Sequence, residues 1–230
     1  MDIEFWNNRW DNNQIGFHQS SVNPYLSYFY GEKGIAQDKR QSLKVFVPLC
    51  GKSLDMLWLA QNGYAVFGIE CSERAVEDFF AENNLSHQMV AKGEGNQRHA
   101  FYRHSEQAAD IEIYQGDFFE LTAEDLIGIT DVFDRAALIA FPEDLRRLYA
   151  QKMAELQQPG TRTLLVTLTY DQLEMSGPPY SVSEEEVFDL YQKDFTINKL
   201  IAKDVLEYEL HFKAKGLTAL TESVYKLQRK

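Results

Sequence analysis

Short apolar runs alternate with helical patterns through the middle of the chain, and this alternation limits the fold more than any other feature. Each run is long enough for one strand that is buried on both faces. Serines that suit helix N-caps and an Asn-Gly stop separate the runs. The runs cover residues 44–48, 65–69, 111–114, 130–134 and 163–169. The pattern predicts an open, mostly parallel α/β sheet with helices on both faces.

The regions flanking this core have different patterns. The first forty residues are aromatic and polar, which predicts one or two short helices, and residues 86–110 are polar, which predicts an extended surface insertion. After Pro178-Pro179 a helix is expected from Ser183, because three glutamates follow this serine. The remaining segments predict an antiparallel sheet edge. They are strands at 196–202 and 222–227 and a strand-like stretch at 208–213.

Charge and cysteine content exclude several functions. With 23 basic and 35 acidic residues the net charge is −12, which disfavours binding to nucleic acid or anionic lipid. The N-terminus has no signal-like apolar region, and no apolar run is long enough to span a bilayer. Cys50 and Cys71 are the only cysteines, which predicts reduced thiols and a cytoplasmic location. The histidines and cysteines show no metal-ligand spacing, so no metal is expected.

Acidic side chains follow three of the predicted strands. Glu70 ends the second strand, Asp117 follows the third, and Asp134-Arg135 ends the fourth. In open α/β sheets, ligands bind beyond the carboxyl ends of the strands. Glu70 lies 19 residues after Gly51, close to the spacing of about 20 between a nucleotide-binding turn and its ribose-binding acid. We therefore predict that Glu70 accepts ribose hydroxyls; the alternative is that Glu70 and Asp117 are ordinary turn or cap acids.

The turn after the first strand, Pro48–Ser53, lacks a phosphate cradle. It has neither G-x-G-x-x-G nor G-x-x-x-x-G-K-[ST], since the residue five before Gly51 is Phe46. A nucleoside without phosphates fits this turn better, and S-adenosylmethionine is a common one. A purely structural strand-to-helix turn is the alternative.

Several motifs resemble the thiopurine S-methyltransferase family in its bacterial form. They occur in order from residue 5 to about 190. They are W-x3-W, GFH, VPLCGKSLDMLWLAQNGYAVFGIECSERAVEDFF, GDFFEL, FDRAALIAFP, LLVTLTYD and GPPYSV. The combination is specific, because PLCGKS with an acid 19 residues after its glycine and a later DRAAL is not a general α/β pattern. The stretch 91–110 lengthens the interval from Glu70 to Arg135 beyond that expected for bacterial members.

The resemblance implies a Rossmann-like class I methyltransferase fold with seven strands, the last antiparallel, and S-adenosyl-L-methionine as cofactor. Phe17 matches a substrate-side position, and Arg135 would act electrostatically between cofactor and acceptor. Trp10 would close over the cofactor, whereas Trp6 is left outside the expected site. The cofactor-binding positions would be Trp10, Leu49, Glu70, Asp117, Phe118 and Arg135. We expect one domain of residues 1–230, with a lid segment 1–40, a cofactor-binding core 41–170 and a substrate-side and edge-strand segment 171–230.

The expected activity is methyl transfer to the sulfur of aromatic or heterocyclic thiols such as thiopurines. Bacterial relatives are also linked with methylation of selenium and tellurium compounds. We expect a monomer that acts on a small molecule, with no nucleic-acid or membrane partner. Three alternatives stay open at this point: a related thiol or halide methyltransferase, a nicotinamide-dependent oxidoreductase, and a non-catalytic protein that binds an adenosine ligand or a metalloid.

Overall fold

The expected alternation of strands and helices is present in the structure, a computed structural model that describes residues 2–31, 40, 43–92, 99–104 and 111–230. The helices are α1 (Ile3–Asp11), α2 (Pro24–Tyr30), α3 (Leu54–Gln61), α4 (Glu73–Glu82), α5 (Glu143–Leu156), α6 (Glu184–Tyr191) and α7 (Leu210–Ala214). The strands are β1 (Lys44–Val47), β2 (Ala65–Glu70), β3 (Gln88–Lys92), β4 (His99–His104), β5 (Ile111–Gln115), β6 (Asp131–Arg135), β7 (Arg162–Thr169), β8 (Phe195–Asp204) and β9 (Thr221–Arg229).

Serine side chains begin three of these helices, as the sequence predicts. The hydroxyl oxygen of Ser53 accepts the Asp55 N–H at 3.2 Å at the start of α3, and Ser72 accepts the Ala75 N–H at 3.4 Å at the start of α4. Ser183 caps α6 in the same way. Because the capping hydroxyls satisfy backbone donors that the helix leaves free, they fix where α3 and α4 begin after β1 and β2.

The chain divides into two compact units. Unit 1 contains residues 1–121 and 128–131, and its strands have the order β3-β4-β5-β2-β1. The pairs β1–β2 and β2–β5 are parallel. Their side chains are buried, as continuous apolar runs require. Fully or almost fully buried examples are Val45, Phe46, Phe67, Ile69, Ile111 and Ile113.

The surface insertion predicted at residues 86–110 contains two strands that the sequence did not predict. These strands, β3 and β4, pair antiparallel, and β4 pairs antiparallel with β5. The apolar pattern is weak because β3 is an exposed edge strand: Met89 is 62% and Val90 is 49% exposed. Backbone pairing, which a hydrophobicity pattern does not record, holds this hairpin on the sheet. Residues 93–98 and 105–110 lie outside the described residues.

Unit 2 contains residues 122–127 and 132–230, and its strands have the order β6-β7-β9-β8. Strand β9 pairs antiparallel with both β7 and β8, so the predicted antiparallel edge and the strands predicted at 196–202 and 222–227 are confirmed. The buried Arg146 of α5 forms a two-pronged ion pair with Glu186 of α6, at 2.6 and 3.0 Å. This pair joins the two helices beside the sheet.

The strand-like interpretation of 208–213 is wrong. Residues Leu210–Ala214 form the short helix α7. One residue of this helix, Phe212, is buried in a cluster with Val205, Leu206, Leu217 and Leu220. With one buried position in five residues, the hydrophobic pattern does not distinguish a strand from a helix. The helix is stabilised by the packing of Phe212 in this cluster.

The described part of the chain has no helix that is both long enough and apolar enough to cross a bilayer.

Candidate active site

The turn after β1 is held in an unusual backbone conformation. Leu49 has φ +45° and Gly51 has φ +50°, and the left-handed region costs a residue with a side chain about 1–2 kcal/mol. The N–H of Cys50 donates to the carbonyl of Ile69 at 2.9 Å, which continues the pairing of β1 with β2 into the turn. The Cys50 thiol is buried so close to Gly68 that a Cβ on Gly68 would lie 2.7 Å from the sulfur. Strain at Leu49 persists because these contacts fix the turn.

Glu70, at the end of β2, joins this turn to the start of α4. Its side chain is 6% exposed. One carboxylate oxygen accepts the Gly51 N–H at 2.9 Å, and the other accepts the Ser72 N–H at 2.9 Å. The thiol of Cys71 also lies 3.4 Å from that second oxygen. Burial raises the pKa of Glu70, and these hydrogen bonds partly oppose the rise.

The backbone bonds to Glu70 are those of a turn acid, and a buried acceptor of this kind is also what a hydroxyl-bearing ligand requires. An ionised carboxylate has about four acceptor positions. The Glu70 carboxylate accepts the N–H groups of Gly51 and Ser72 and lies beside the Cys71 thiol, and the backbone of Cys71 also hydrogen-bonds to it. A carboxylate that is buried at a strand end suits neighbouring ribose hydroxyls, which are neutral donors. This donor chemistry fits a nucleoside cofactor without phosphates.

Aromatic residues of the N-terminal segment cover the turn. The indole of Trp10 is only 3% exposed, and a Cβ on Gly51 would lie 3.0 Å from the Trp10 ring. Phe17 packs edge-on against Trp10, with ring centres 5.5 Å apart. Trp6, which was not expected in the site, packs edge-on against Phe17 at 5.7 Å. Trp10 and Phe17 therefore contact each other beside the turn. The position of Trp6 near them could have been inferred from its i,i+4 spacing to Trp10, because residues at this spacing lie on the same side of a helix.

Asp117 follows β5 at the neighbouring strand end. The register pairs Gln115 with Glu70, and the Gly116 N–H donates to the Glu70 carbonyl at 3.0 Å. Asp117 caps a short 3-10 helix at Phe118–Glu120 by accepting the Phe119 N–H at 2.9 Å. Burial and the charge of Glu70 raise the pKa of Cys71, and the charge of Asp117 adds to this rise. The side chain of Phe118 is completely buried, so a ligand would meet this residue through its backbone.

A buried carboxylate that the sequence marks only as a first-turn acid anchors the N-terminal segment. Asp55 is 1% exposed. One of its oxygens accepts the Asn23 N–H at 2.7 Å, and the other accepts the Ser53 hydroxyl at 3.0 Å. The helix after the β1 turn is therefore tied to the segment that carries Trp10 and Phe17. No local pattern links Asn23 and Asp55, because 32 residues separate them.

Arg135 is the last residue of β6 and belongs to unit 2, where it is half-buried. The next residue, Ala136, has φ +65°. Asp134, just before Arg135, is buried and accepts the Tyr149 hydroxyl at 2.8 Å and the Leu138 N–H at 3.2 Å. Burial raises the pKa of Asp134 to about 6. Asp134 is therefore a buried structural residue, whereas Arg135, which follows it, is partly accessible.

Comparison with known proteins agrees with these features. The sequence model of the thiopurine S-methyltransferase family matches residues 1–230. A thiopurine S-methyltransferase of Pseudomonas fluorescens strain SBW25 is 45% identical over 227 residues, with 99% of each chain covered. One from Azotobacter vinelandii is 44% identical over 230 residues, with both chains covered completely.

Solved structures of methyltransferases share the fold. A 1,6-didemethyltoxoflavin-N1-methyltransferase of Burkholderia thailandensis, with bound 1,6-didemethyltoxoflavin and S-adenosylhomocysteine, aligns with a TM-score of 0.62. The alignment covers 99% of this chain and 87% of that one at 13% identity. At this identity the similarity shows the fold alone, and the predicted class I methyltransferase fold is confirmed.

Proposed function

This chain belongs to the thiopurine S-methyltransferase family, and we propose that it methylates the sulfur of aromatic or heterocyclic thiols such as thiopurines. It is a methyltransferase whose cofactor is S-adenosyl-L-methionine. The observation that carries the proposal is the Glu70 carboxylate, which is buried at a strand end beside a turn without a phosphate cradle. A methyl-transfer assay with labelled cofactor and a panel of thiopurines and thiophenols tests it.

The proposed cofactor residues have distinct roles. Glu70 accepts the ribose hydroxyls, and Asp117 and the backbone of Phe118 border the adenine. Leu49 meets the methionine portion through its backbone, which is why the strained turn matters. Trp10 covers the cofactor from the N-terminal segment. The support comes from the match of these positions to the family motifs and from the contacts among the residues of unit 1.

The aromatic cover has a proposed role in the reaction. When bound, the cofactor supplies an electrophilic sulfonium methyl group. Attack by a thiolate neutralises both charges, so water in the site would stabilise the reactants more than the transition state. Trp10 and Phe17 would exclude water from this region, and Phe17 would contact the acceptor ring. The protein therefore contributes alignment and a dry environment, and the cofactor contributes the reactive group.

Arg135 is proposed as an electrostatic residue for the acceptor. A guanidinium near the acceptor lowers the pKa of its thiol and favours the thiolate, without a dedicated base. The match of Arg135 to the family's D-R-A-A-L motif supports this role.

We predict that Arg135→Ala lowers kcat/KM about tenfold, equivalent to about 1.4 kcal/mol of transition-state stabilisation, with the fold intact. The loss should be greatest for acceptors of high thiol pKa, because these depend most on the cation. Steady-state kinetics across a thiophenol series measures this slope. Equal losses for every acceptor would contradict the proposed role.

The tight contact of Gly51 with Trp10 gives a second prediction. Gly51→Ala should lower stability by about 1–2 kcal/mol through strain at positive φ, and should also weaken binding of S-adenosylhomocysteine by displacing Trp10. Gly128→Ala is the matched control, since Gly128 has φ +84° but a Cβ added there would meet nothing within 4 Å among the described residues. Thermal unfolding and calorimetry compare the two variants. Equal cofactor affinities would show that Trp10 does not form part of the site.

The acceptor range and cellular setting are also proposals. We propose that selenols and reduced tellurium compounds are acceptors, because a soft, polarizable atom suits attack on a sulfonium methyl. The net charge of −12 supports a small-molecule partner and no nucleic acid, and two free cysteines support a cytoplasmic location. The family match over residues 1–230 supports one catalytic domain, which we propose acts as a monomer. Selenols and reduced tellurium compounds in the assay panel and size-exclusion chromatography test these points.

A further inference from the structure

The turn after β6, like the turn after β1, contains a residue other than glycine or asparagine in the left-handed backbone conformation. Within the described ranges, four residues other than glycine have positive φ. Two of them are asparagines, which tolerate this region, and the other two are Leu49 and Ala136. Leu49 lies in the proposed cofactor turn, and Ala136 directly follows Arg135. Such strain persists only where surrounding contacts hold it.

The contacts that hold the Ala136 turn converge on one carboxylate. Asp134 is 1% exposed, and its two oxygens accept different donors. One oxygen accepts the Leu138 N–H at 3.2 Å, which closes the turn around Arg135 and Ala136. The other accepts the hydroxyl of Tyr149 at 2.8 Å. Tyr149 lies on α5 and is completely buried. The helix therefore holds the Asp134 carboxylate in place through the Tyr149 hydroxyl, and Asp134 in turn holds the turn at Ala136.

Because Tyr149 and Asp134 are both buried, the hydrogen bond between them is strong. A hydrogen bond to an ionised acceptor is stronger than one between neutral groups, and more so away from water. Burial and the charge of Asp134 raise the pKa of Tyr149 well above its ordinary value, so the tyrosine stays a hydroxyl donor. The turn would lose its anchor if the hydroxyl were removed, although the ring of Tyr149 would still fill its space.

We propose that Tyr149 is a positioning residue for the methyl-transfer reaction: through Asp134 it holds the backbone of Arg135 in the orientation that the acceptor requires. This inference rests on the proposed role of Arg135. Tyr149 itself touches neither cofactor nor acceptor; it acts through the turn. Its contribution should therefore exist only while Arg135 is present.

The test is a double-mutant cycle with Tyr149→Phe and Arg135→Ala. Tyr149→Phe should lower kcat/KM for thiophenol about tenfold, which is less than the roughly 100-fold that a misplacement of about 1 Å can cost. In the Arg135→Ala background the same substitution should change kcat/KM less than about twofold. Calorimetric titration of thiophenol into the S-adenosylhomocysteine complex should show the same pattern in Kd.

Tyr64→Phe is the matched control. The hydroxyl of Tyr64 donates to the carbonyl of Tyr30 at 2.7 Å, and Tyr64 is also completely buried. It precedes β2, at the end of that strand opposite to Glu70. Removing its hydroxyl should lower the melting temperature to a similar extent and leave kcat/KM unchanged.

Asp134→Asn is the second variant, which keeps the inference testable should Tyr149→Phe unfold. Its neutral amide has one acceptor oxygen, so the Leu138 N–H or the Tyr149 hydroxyl must face the NH2 group, and the charge-assisted bond is lost. A loss of kcat/KM in the same direction is expected, again only with Arg135 present. Independent, multiplicative losses in the cycle would overturn the inference and leave the role of Arg135 standing. No loss from Arg135→Ala alone would instead overturn the proposed role of Arg135, and the inference with it.

Discussion

Glu70→Gln is expected to raise the dissociation constant of S-adenosylhomocysteine about 10- to 100-fold, within the range of about 1–3 kcal/mol for hydrogen bonds to a charged group. The amide is neutral and has one acceptor oxygen. Because the N–H groups of Gly51 and Ser72 bond to different oxygens of Glu70, one of them must face the amide nitrogen of glutamine. The substitution therefore removes the ribose acceptor and loosens the turn after β1.

Calorimetry at a temperature well below the melting point of the variant measures this change. Glu77→Gln is the matched control, because Glu77 lies on α4 with its side chain exposed and makes the same change of charge away from the turn. The control should bind S-adenosylhomocysteine as the wild type does. An unchanged affinity in Glu70→Gln would mean that Glu70 serves only as a cap for the two turns.

The unfolding free energy is expected to depend on Asp134 between about pH 4 and pH 6. Burial raises the pKa of Asp134 from 3.8 to about 6. The folded protein therefore holds this proton more tightly than the unfolded chain, and the stability it contributes is complete below about pH 4 and lost as the pH rises through about 6. A pKa difference of about two corresponds to about 3 kcal/mol.

Comparison with Asp134→Asn isolates this contribution, because Glu70, whose pKa is also raised, is present in both proteins. Urea unfolding from pH 4 to pH 7 should show the wild type losing about 3 kcal/mol relative to the variant. The variant lacks the titrating carboxyl, so its own curve should be flatter in this range. A constant difference between the two proteins across this range would contradict a raised pKa for Asp134.

The strand ends were predictable from sequence because their signals are local. Buried strands appear as continuous apolar runs, and the spacing from Gly51 to Glu70 follows from one strand-turn-helix-strand unit. The sequence therefore placed Glu70 and Asp117 at the ends of the second and third predicted strands, and the structure shows that these strands, β2 and β5, are neighbours. The family motifs added Leu49 and Arg135, which no periodicity would select.

The remaining features depend on contacts between distant residues. Asp55 meets Asn23 across 32 residues, and Tyr149 meets Asp134 across 15, with no motif that joins either pair. The burial of Trp10 was not predictable from its polar neighbours, because its partner is the backbone of Gly51. The hairpin of β3 and β4 was missed for a different reason: exposed edge strands give little apolar pattern.

A crystal structure with S-adenosylhomocysteine bound tests the central claim most directly. We expect both ribose hydroxyls within hydrogen-bonding distance of the Glu70 carboxylate, the adenine beside Asp117 and Phe118, and the indole of Trp10 over the ligand. A nucleoside bound elsewhere, with Glu70 still engaged only by protein groups of the two neighbouring turns, would contradict the assignment of this site.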